Sequence, residues 1–277
     1  MSVLDNKKIS FIGGGNMAQA LISGLVSCGI QPNLITVADP SSDAREQLAA
    51  KGLNTVDPTA DSTAAIVDAD IVVLAVKPQV MKAVVGAFAD ALDNQLVISV
   101  AAGLSTEILS GMLNGYRNIV RAMPNTPAMI QMGATGLYGT DDISAEQKEL
   151  ATAVMEASGL VMWVDNEEHM HAVTAVSGSA PAYMFYFIES MVDGAIALGL
   201  DQEQASALAM QTMLGAAKMA MGSDDAPAEL RRKVTSPNGT TQAAIESMQG
   251  NEIGRQIGEA MQACYDRSQA LSEEMGK

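Results

Sequence analysis

The sequence predicts an α/β protein, a doubly wound Rossmann-type parallel sheet followed by an all-helical domain. Three observations carry this. Short apolar runs alternate with helical periodicity over residues 1–125, a glycine turn joins the first run to the first helix, and strand-like runs stop beyond Glu167. The expected division is residues 1–165 and 166–277. A length of 277 residues suits about two domains, and 48% apolar composition sustains a large core.

The first element is ISFIGGGNMAQALISGLVSC, residues 9–28. Ile9, Phe11 and Ile12 read as a buried strand, and Ala18, Leu21, Ile22 and Leu25 recur at helical spacing. Between them Gly13, Gly15 and Ala18 spell GxGxxA. Gly13 permits a tight turn, Gly15 lets the backbone approach a pyrophosphate, and Ala18 lets helix pack on strand. Phosphates would sit at the helix N-terminus, so this turn predicts dinucleotide binding rather than a purely structural glycine turn, and residues 1–165 become the cofactor domain.

Leu34 to Ala38 reads as the second strand, ending at Asp39. An acid there can accept hydrogen bonds from the ribose of NAD. It repels the 2′-phosphate of NADP, yet Ser41, Ser42 and Arg45 follow and can bind one. Asp39-Pro40-Ser41-Ser42 also fits a plain turn and helix cap, so both readings stay open.

Ile71 to Val76 is continuously apolar, as a central parallel strand is, and Lys77-Pro78 ends it. Lys77 thus lies at the ligand-binding edge of the sheet, or is a solvated loop lysine. Leu96 to Val100 is a strand followed by Ala101-Ala102-Gly103, small enough to admit a flat ring. A helix over Thr106 to Leu113 and a strand over Asn118 to Ala122 lead to Met123-Pro124-Asn125-Thr126-Pro127, where the prolines fix the polar pair. A strand from Ala134 to Tyr138, a helix over 144–158 and a strand around Val161 to Val164 close this half.

Helices are expected at 167–176, 180–198, 201–221, 226–233, 240–248 and 251–272. Met184, Phe185, Phe187, Ile188, Met191 and Val192 make one of them apolar on several faces, which favours a subunit interface. Two polar loops stand out here. Ser177-Gly178-Ser179-Ala180-Pro181 opens the helix at 180, and Ser236-Pro237-Asn238-Gly239 precedes Thr240 or Thr241 as a helix cap. Backbone N–H groups around Gly239, Thr240 and Thr241 can bind a carboxylate, or the segment is only a capped turn.

Composition narrows the partners. With 32 acidic against 16 basic residues the net charge is -16, which opposes nucleic acid and anionic membranes and leaves a small-molecule substrate. No apolar run is long enough to span a membrane, and Met1 to Lys8 lacks a signal-peptide pattern, so a cytoplasmic protein is expected. Cys28 and Cys264 lack metal spacing and are expected as buried free thiols, and the 19 methionines as core filler. His169 and His171 point to different helix faces, so they do not share a metal and suit an ordinary surface or interface role; no metal site is expected.

Six stretches, IGGGNMAQAL (12–21), AVKPQ (75–79), SVAAGL (99–104), RAMPNTPA (121–128), VSGSAPAY (176–183) and VTSPNGTTQAAIE (234–246), together resemble the pyrroline-5-carboxylate reductases, in order and over essentially the full length. The resemblance implies hydride transfer from NADPH or NADH to the C=N carbon of 1-pyrroline-5-carboxylate, giving L-proline. It implies that the Thr241 hydroxyl bonds the ring nitrogen, and that Ser236 with the N–H groups of Gly239 and Thr240 holds the carboxylate, with Ser177 also on the substrate side. Cofactor contacts are expected from Gly13, Gly15, Asn16, Met17, Asp39, Ser41, Arg45, Ala75, Lys77, Pro78, Ala101, Gly103, Pro124 and Asn125. Residues 166–277 then form a dimerisation and substrate domain, interlocked in a homodimer that often assembles further. The alternative is a reductase of the same architecture acting on a different imine or a β-hydroxyacid; a β-hydroxyacid enzyme would be expected to carry a lysine on the first long helix, and Ser179 to Gly199 has none. A non-catalytic dinucleotide sensor would not need the loop at 234–246.

Overall fold

In the computed structural model, which describes residues 3–276, the apolar runs become strands. Met1 and Ser2, in the Met1 to Lys8 stretch read above, lie outside the described residues, as does Lys277. The strands are β1 (Ile9–Ile12), β2 (Ile35–Ala38), β3 (Asn54–Val56), β4 (Ile71–Leu74), β5 (Leu96–Ser99), β6 (Ile119–Met123), β7 (Gly133–Gly139) and β8 (Gly159–Trp163). They form one sheet in the order β3-β2-β1-β4-β5-β6-β7-β8. The first six strands are parallel, β7 runs antiparallel to β6, and β8 is parallel to β7. β1, β4 and β5 are buried throughout, as their unbroken apolar runs require with helices on both faces.

On one face, α1 (Asn16–Ser27) and α5 (Ala145–Glu156) bury Leu21, Leu25, Leu150 and Val154 against Phe11 and Ile98. On the other, α3 (Pro78–Gly86) and α4 (Thr106–Met112) bury Met81, Val85 and Leu109 against Val72, Leu74 and Val97. α2 (Ser42–Ala49) follows β2. The α1–α5 approach depends on Gly24, where a β-carbon would lie 2.1 Å from the carbonyl oxygen of Ala157. The strand order reverses direction between β1 and β4, which places a ligand crevice at the carboxyl ends of those strands.

The chain divides by packing into a unit up to Ser179 that is rejoined from Cys264 onward, and a second unit, Ala180–Ala263. The boundary expected at 165/166 follows the last strand. The first unit continues through α6 (His169–Val173) and a π-helical turn, Thr174–Gly178. The second unit holds α7 (Ala180–Ala197), α8 (Gln202–Met221), α9 (Pro227–Lys233) and α10 (Thr240–Gly250), and α11 (Ile253–Met275) begins in it. Val192 of α7 packs with Ala205 and Ala209 of α8. Phe185, at 66% exposure, and Met184, Met191, Met210 and Leu214 stay exposed in the single chain. Among the described residues no helix is long and apolar enough to cross a membrane.

Three expectations need correction. Cys28 is exposed and Cys264 half-buried; both are free, and the Cys264 thiol donates to Ser179 Oγ at 3.3 Å. The methionines are mostly not core filler in the single chain. Met81, Met155 and Met170 are buried, whereas Met129, Met132, Met162, Met184, Met191, Met210, Met219, Met221 and Met248 are exposed. His171 is buried rather than a surface residue, with Nδ1 2.9 Å from Ser268 Oγ and its ring edge-on to Tyr265.

Burial, then the nearby Arg121 charge, lowers the pKa of His171 below 6.5, against the weaker opposing pull of Glu168 and Glu167. The folded chain therefore holds His171 neutral more strongly than the unfolded chain does. Stability from this site is full above the unfolded pKa and is lost as pH falls through the folded value. The thermal midpoint is expected to drop between about pH 7 and about pH 5, and His171→Asn to flatten that slope. An unchanged slope in the variant would assign the titration to another group.

Candidate active site

The loops at the carboxyl ends of β1, β2 and β4 surround a cavity of about 610 Å³ lined by Gly13, Gly15, Asp39, Ala75 and Lys77, with Val84 and Phe88 forming an apolar wall. Gly13 has φ +100, and a β-carbon there would come 2.9 Å from both Ala75 O and Val76 Cγ1. Only glycine suits that turn. Gly15 is the N-cap of α1, with open space where its side chain would be and no side chain capping the helix. Asn16 and Met17 form the first helical positions, and the Ala18 side chain is fully buried in the core below. An approachable helix N-terminus behind a glycine turn fits a pyrophosphate, so these residues suit a dinucleotide.

The carboxylate of Asp39 accepts from Gly14 N at 2.8 Å and from Ser41 N at 2.9 Å. Ser41 caps α2, its Oγ accepting from Ala44 N at 3.3 Å. Arg45 turns back: Nη1 donates to Asp39 O at 2.7 Å, and Nη2 lies 3.0 Å from Asp57 Oδ2. Lys77 is the N-cap of α3 with Pro78 at the first helical position, which suits proline because that N–H has no helical partner.

The other expected cofactor positions lie on the loops after β5 and β6 and do not line this cavity. Ala101 and Gly103 are buried, Gly103 with φ +79 beside Leu271 of α11, and Ala102 between them is exposed. Pro124 and Asn125 are buried. The Asn125 amide donates to Ser177 O at 3.0 Å and its Oδ1 accepts from Ala134 N at 2.9 Å, so the loop is tied to its own surroundings. Ser177 sits within the π-helical turn, its hydroxyl donating to Val173 O at 3.0 Å. The polar loop expected at Ser177 to Pro181 is thus a continuous helical bend, widened by one residue, a form common at functional sites.

In the second unit, Ser236 to Gly239 forms a turn in which Gly239 N donates to Ser236 O at 3.1 Å and Asn238 has φ 57. Gly239, not a threonine, is the N-cap of α10. It offers no side-chain cap, and Thr240 and Thr241 become the first two helical residues, both exposed. Gln242 Oε1 reaches back to accept from Asn238 N at 2.7 Å, fixing the turn.

Two residues escaped sequence reading. Glu167 accepts from Thr106 N and Oγ1 at 2.8 and 2.7 Å and pairs with buried Arg121 at 3.1 Å. Asp57 accepts from Thr59 N and Oγ1 at 2.9 and 2.6 Å besides its pair with Arg45. The Asp-Pro-Thr turn was the only signal for Asp57, and Glu167 carried none. Among the described residues no group of three or more His, Cys, Asp or Glu side chains is placed to hold a metal.

Comparison with known proteins decides the lineage. A pyrroline-5-carboxylate reductase of Pseudomonas aeruginosa is 46% identical over 275 residues, 99% of this chain and 100% of the relative. This chain belongs to the pyrroline-5-carboxylate reductase family. The family described as pyrroline-5-carboxylate reductase dimerisation matches residues 167–271, and that described as NADP oxidoreductase, coenzyme F420-dependent, matches residues 8–103. Within the reductase family, the structure from Coxiella burnetii has a TM-score of 0.92 at 40% identity, covering 96% of this chain and 99% of that one. The Plasmodium falciparum structure with NADP bound has a TM-score of 0.84 at 28% identity, covering 96% of this chain and 98% of that one.

Proposed function

We propose that the chain reduces 1-pyrroline-5-carboxylate to L-proline with NAD(P)H, the last step of proline biosynthesis. Family membership supports the reaction, and the uncapped start of α10 after the Ser236–Gly239 turn carries the assignment of the substrate carboxylate. Bound NAD(P)H supplies a hydride to the C=N carbon. The protonated cyclic imine is already a strong electrophile, so the chain need not present a conspicuous acid. Its work is to hold and desolvate the reactants.

Gly13, Gly15, Asn16 and Met17 hold the pyrophosphate against α1, and Asp39, Ser41 and Arg45 border the adenosine ribose. Ala75, Lys77 and Pro78 line the dinucleotide, and Ala101, Gly103, Pro124 and Asn125 shape the loops beside it. Ser236 and the N–H groups of Gly239 and Thr240 hold the carboxylate, Thr241 Oγ1 bonds the ring nitrogen, and Ser177 supports the substrate side through the π-helical turn. Following NADPH and NADH oxidation with pyrroline-5-carboxylate supplied tests the reading, and no turnover with either would overturn it.

The helical segment at residues 167–271 belongs to a dimerisation family, and the exposed apolar side chains of α7 and α8 support a homodimer or higher homo-oligomer. Residues 1–165 serve as cofactor domain and 166–277 as dimerisation and substrate domain. Light scattering is expected to give at least twice the 28.8 kDa chain mass, and a monomer would refute the assembly.

A further inference from the structure

We propose that Asp57, by holding Arg45, and Asp39, by facing the adenosine ribose, make this chain select NADH over NADPH. The inference rests on the dinucleotide site proposed above and adds to it the choice between the two cofactors. A ribose 2′-hydroxyl asks for an acceptor, whereas a 2′-phosphate asks for cations.

Asp39 is the acceptor. It lines the cavity, and the Gly14 and Ser41 N–H groups fix its carboxylate there at 2.8 and 2.9 Å. A carboxylate offers about four acceptor positions, so these two bonds leave capacity for a hydroxyl and none for a phosphate dianion. Arg45 would have to answer that charge, yet it is not part of the cavity lining. Its guanidinium is turned toward Asp39 O, which accepts from Nη1 at 2.7 Å, and toward Asp57, 3.0 Å from Nη2, with the arginine side chain 20% exposed.

Asp57 is itself anchored by both donors of Thr59. Those Thr59 hydrogen bonds first, and Arg45 after them, lower its pKa below the ordinary carboxylate value, so it remains a charged partner at neutral pH. Moving Arg45 onto a 2′-phosphate would break its ion pair and leave Asp57 and Asp39 both charged near the incoming dianion. The Ser41 hydroxyl accepts from Ala44 N as the cap of α2. Lys77, the cation in the lining, follows β4. Ile12 is paired with both Ala38 and Leu74, so β4 lies two strand spacings, about 10 Å, from β2.

The test is calorimetric binding of NADH, NADPH, ADP-ribose and 2′-phospho-ADP-ribose to the full-length protein, without turnover. The unsubstituted protein is expected to bind NADH about tenfold more tightly than NADPH, with the same order for the two ADP-ribose halves, equivalent to ~1.4 kcal/mol. D57N, which releases Arg45, is expected to improve NADPH binding several-fold more than NADH binding, and D39S to narrow or invert the ratio. NADPH binding as tightly as NADH, or D57N leaving the ratio unchanged, would overturn the proposal while the dinucleotide site stands. Failure of every nucleotide to bind would overturn the site itself, and the inference with it.

Discussion

Thr241→Ala is expected to lower kcat/KM for pyrroline-5-carboxylate by about 100-fold, or ~2.7 kcal/mol of transition-state stabilisation. The argument begins with where the residue sits. Gly239 caps α10 and Thr241 is its second helical residue, exposed, so the hydroxyl is available to a substrate held at the helix start. As the imine carbon accepts hydride, the ring nitrogen becomes an amine, and in the proposed site the Thr241 hydroxyl would keep that nitrogen oriented throughout. Alanine removes the hydroxyl while favouring the helix, so the thermal midpoint should hold or rise slightly. Thr241→Ser should restore most of the rate. Initial rates with each reduced nicotinamide check this, and an alanine variant at the unsubstituted kcat/KM would remove the hydroxyl from the mechanism.

The fold was legible where one physical signal dominates. Runs such as IVVL at 71–74 must be buried on both faces, and GGG at 13–15 has few uses between a strand and a helix. The second half read as helix throughout because apolar residues recur there at helical spacing. β3 was missed because its three residues, Asn-Thr-Val, sit on the sheet edge and carry no apolar run. Of the π-helical turn at Thr174–Gly178, the sequence marks residues up to 176 as helix and Ser177 and Gly178 as the start of a polar loop, since one inserted residue interrupts helical periodicity without any residue type that marks it.

Side-chain pairing was less legible than strand ends. Arg45 was visible as a cation after β2, but its commitment to Asp57 depends on β3 returning the chain beside β2. His171 reads in the sequence as one of two helical histidines with a surface or interface role, and it is buried where Ser268 and Tyr265 return from the far end of the chain. Contacts of that kind have no local signature. The same holds for Glu167, where the largest expected effect on stability lies.

Glu167→Ala is expected to destabilise the protein by about 3–5 kcal/mol, the usual cost of stranding one member of a buried ion pair. The Arg121 side chain is 3% exposed and pairs with Glu167 Oε1 at 3.1 Å, so removing the carboxylate leaves a cation with little access to water. The same carboxylate accepts both Thr106 N and Thr106 Oγ1, so the substitution also releases the first residue of α4. α4 follows directly from the Ala101 to Ser105 loop expected beside the cofactor, and loosening its first turn should raise the KM for the nicotinamide more than it lowers kcat. Replacing both partners, as Arg121→Met with Glu167→Ala, removes the stranded charge and should recover much of the stability, because an apolar side chain of similar length to arginine occupies its site without a desolvation cost. Denaturant unfolding of the two single variants and the double variant closes the cycle. A double variant no more stable than Glu167→Ala would show that the carboxylate acts through Thr106 and α4, and that the buried arginine charge is not what makes its loss expensive.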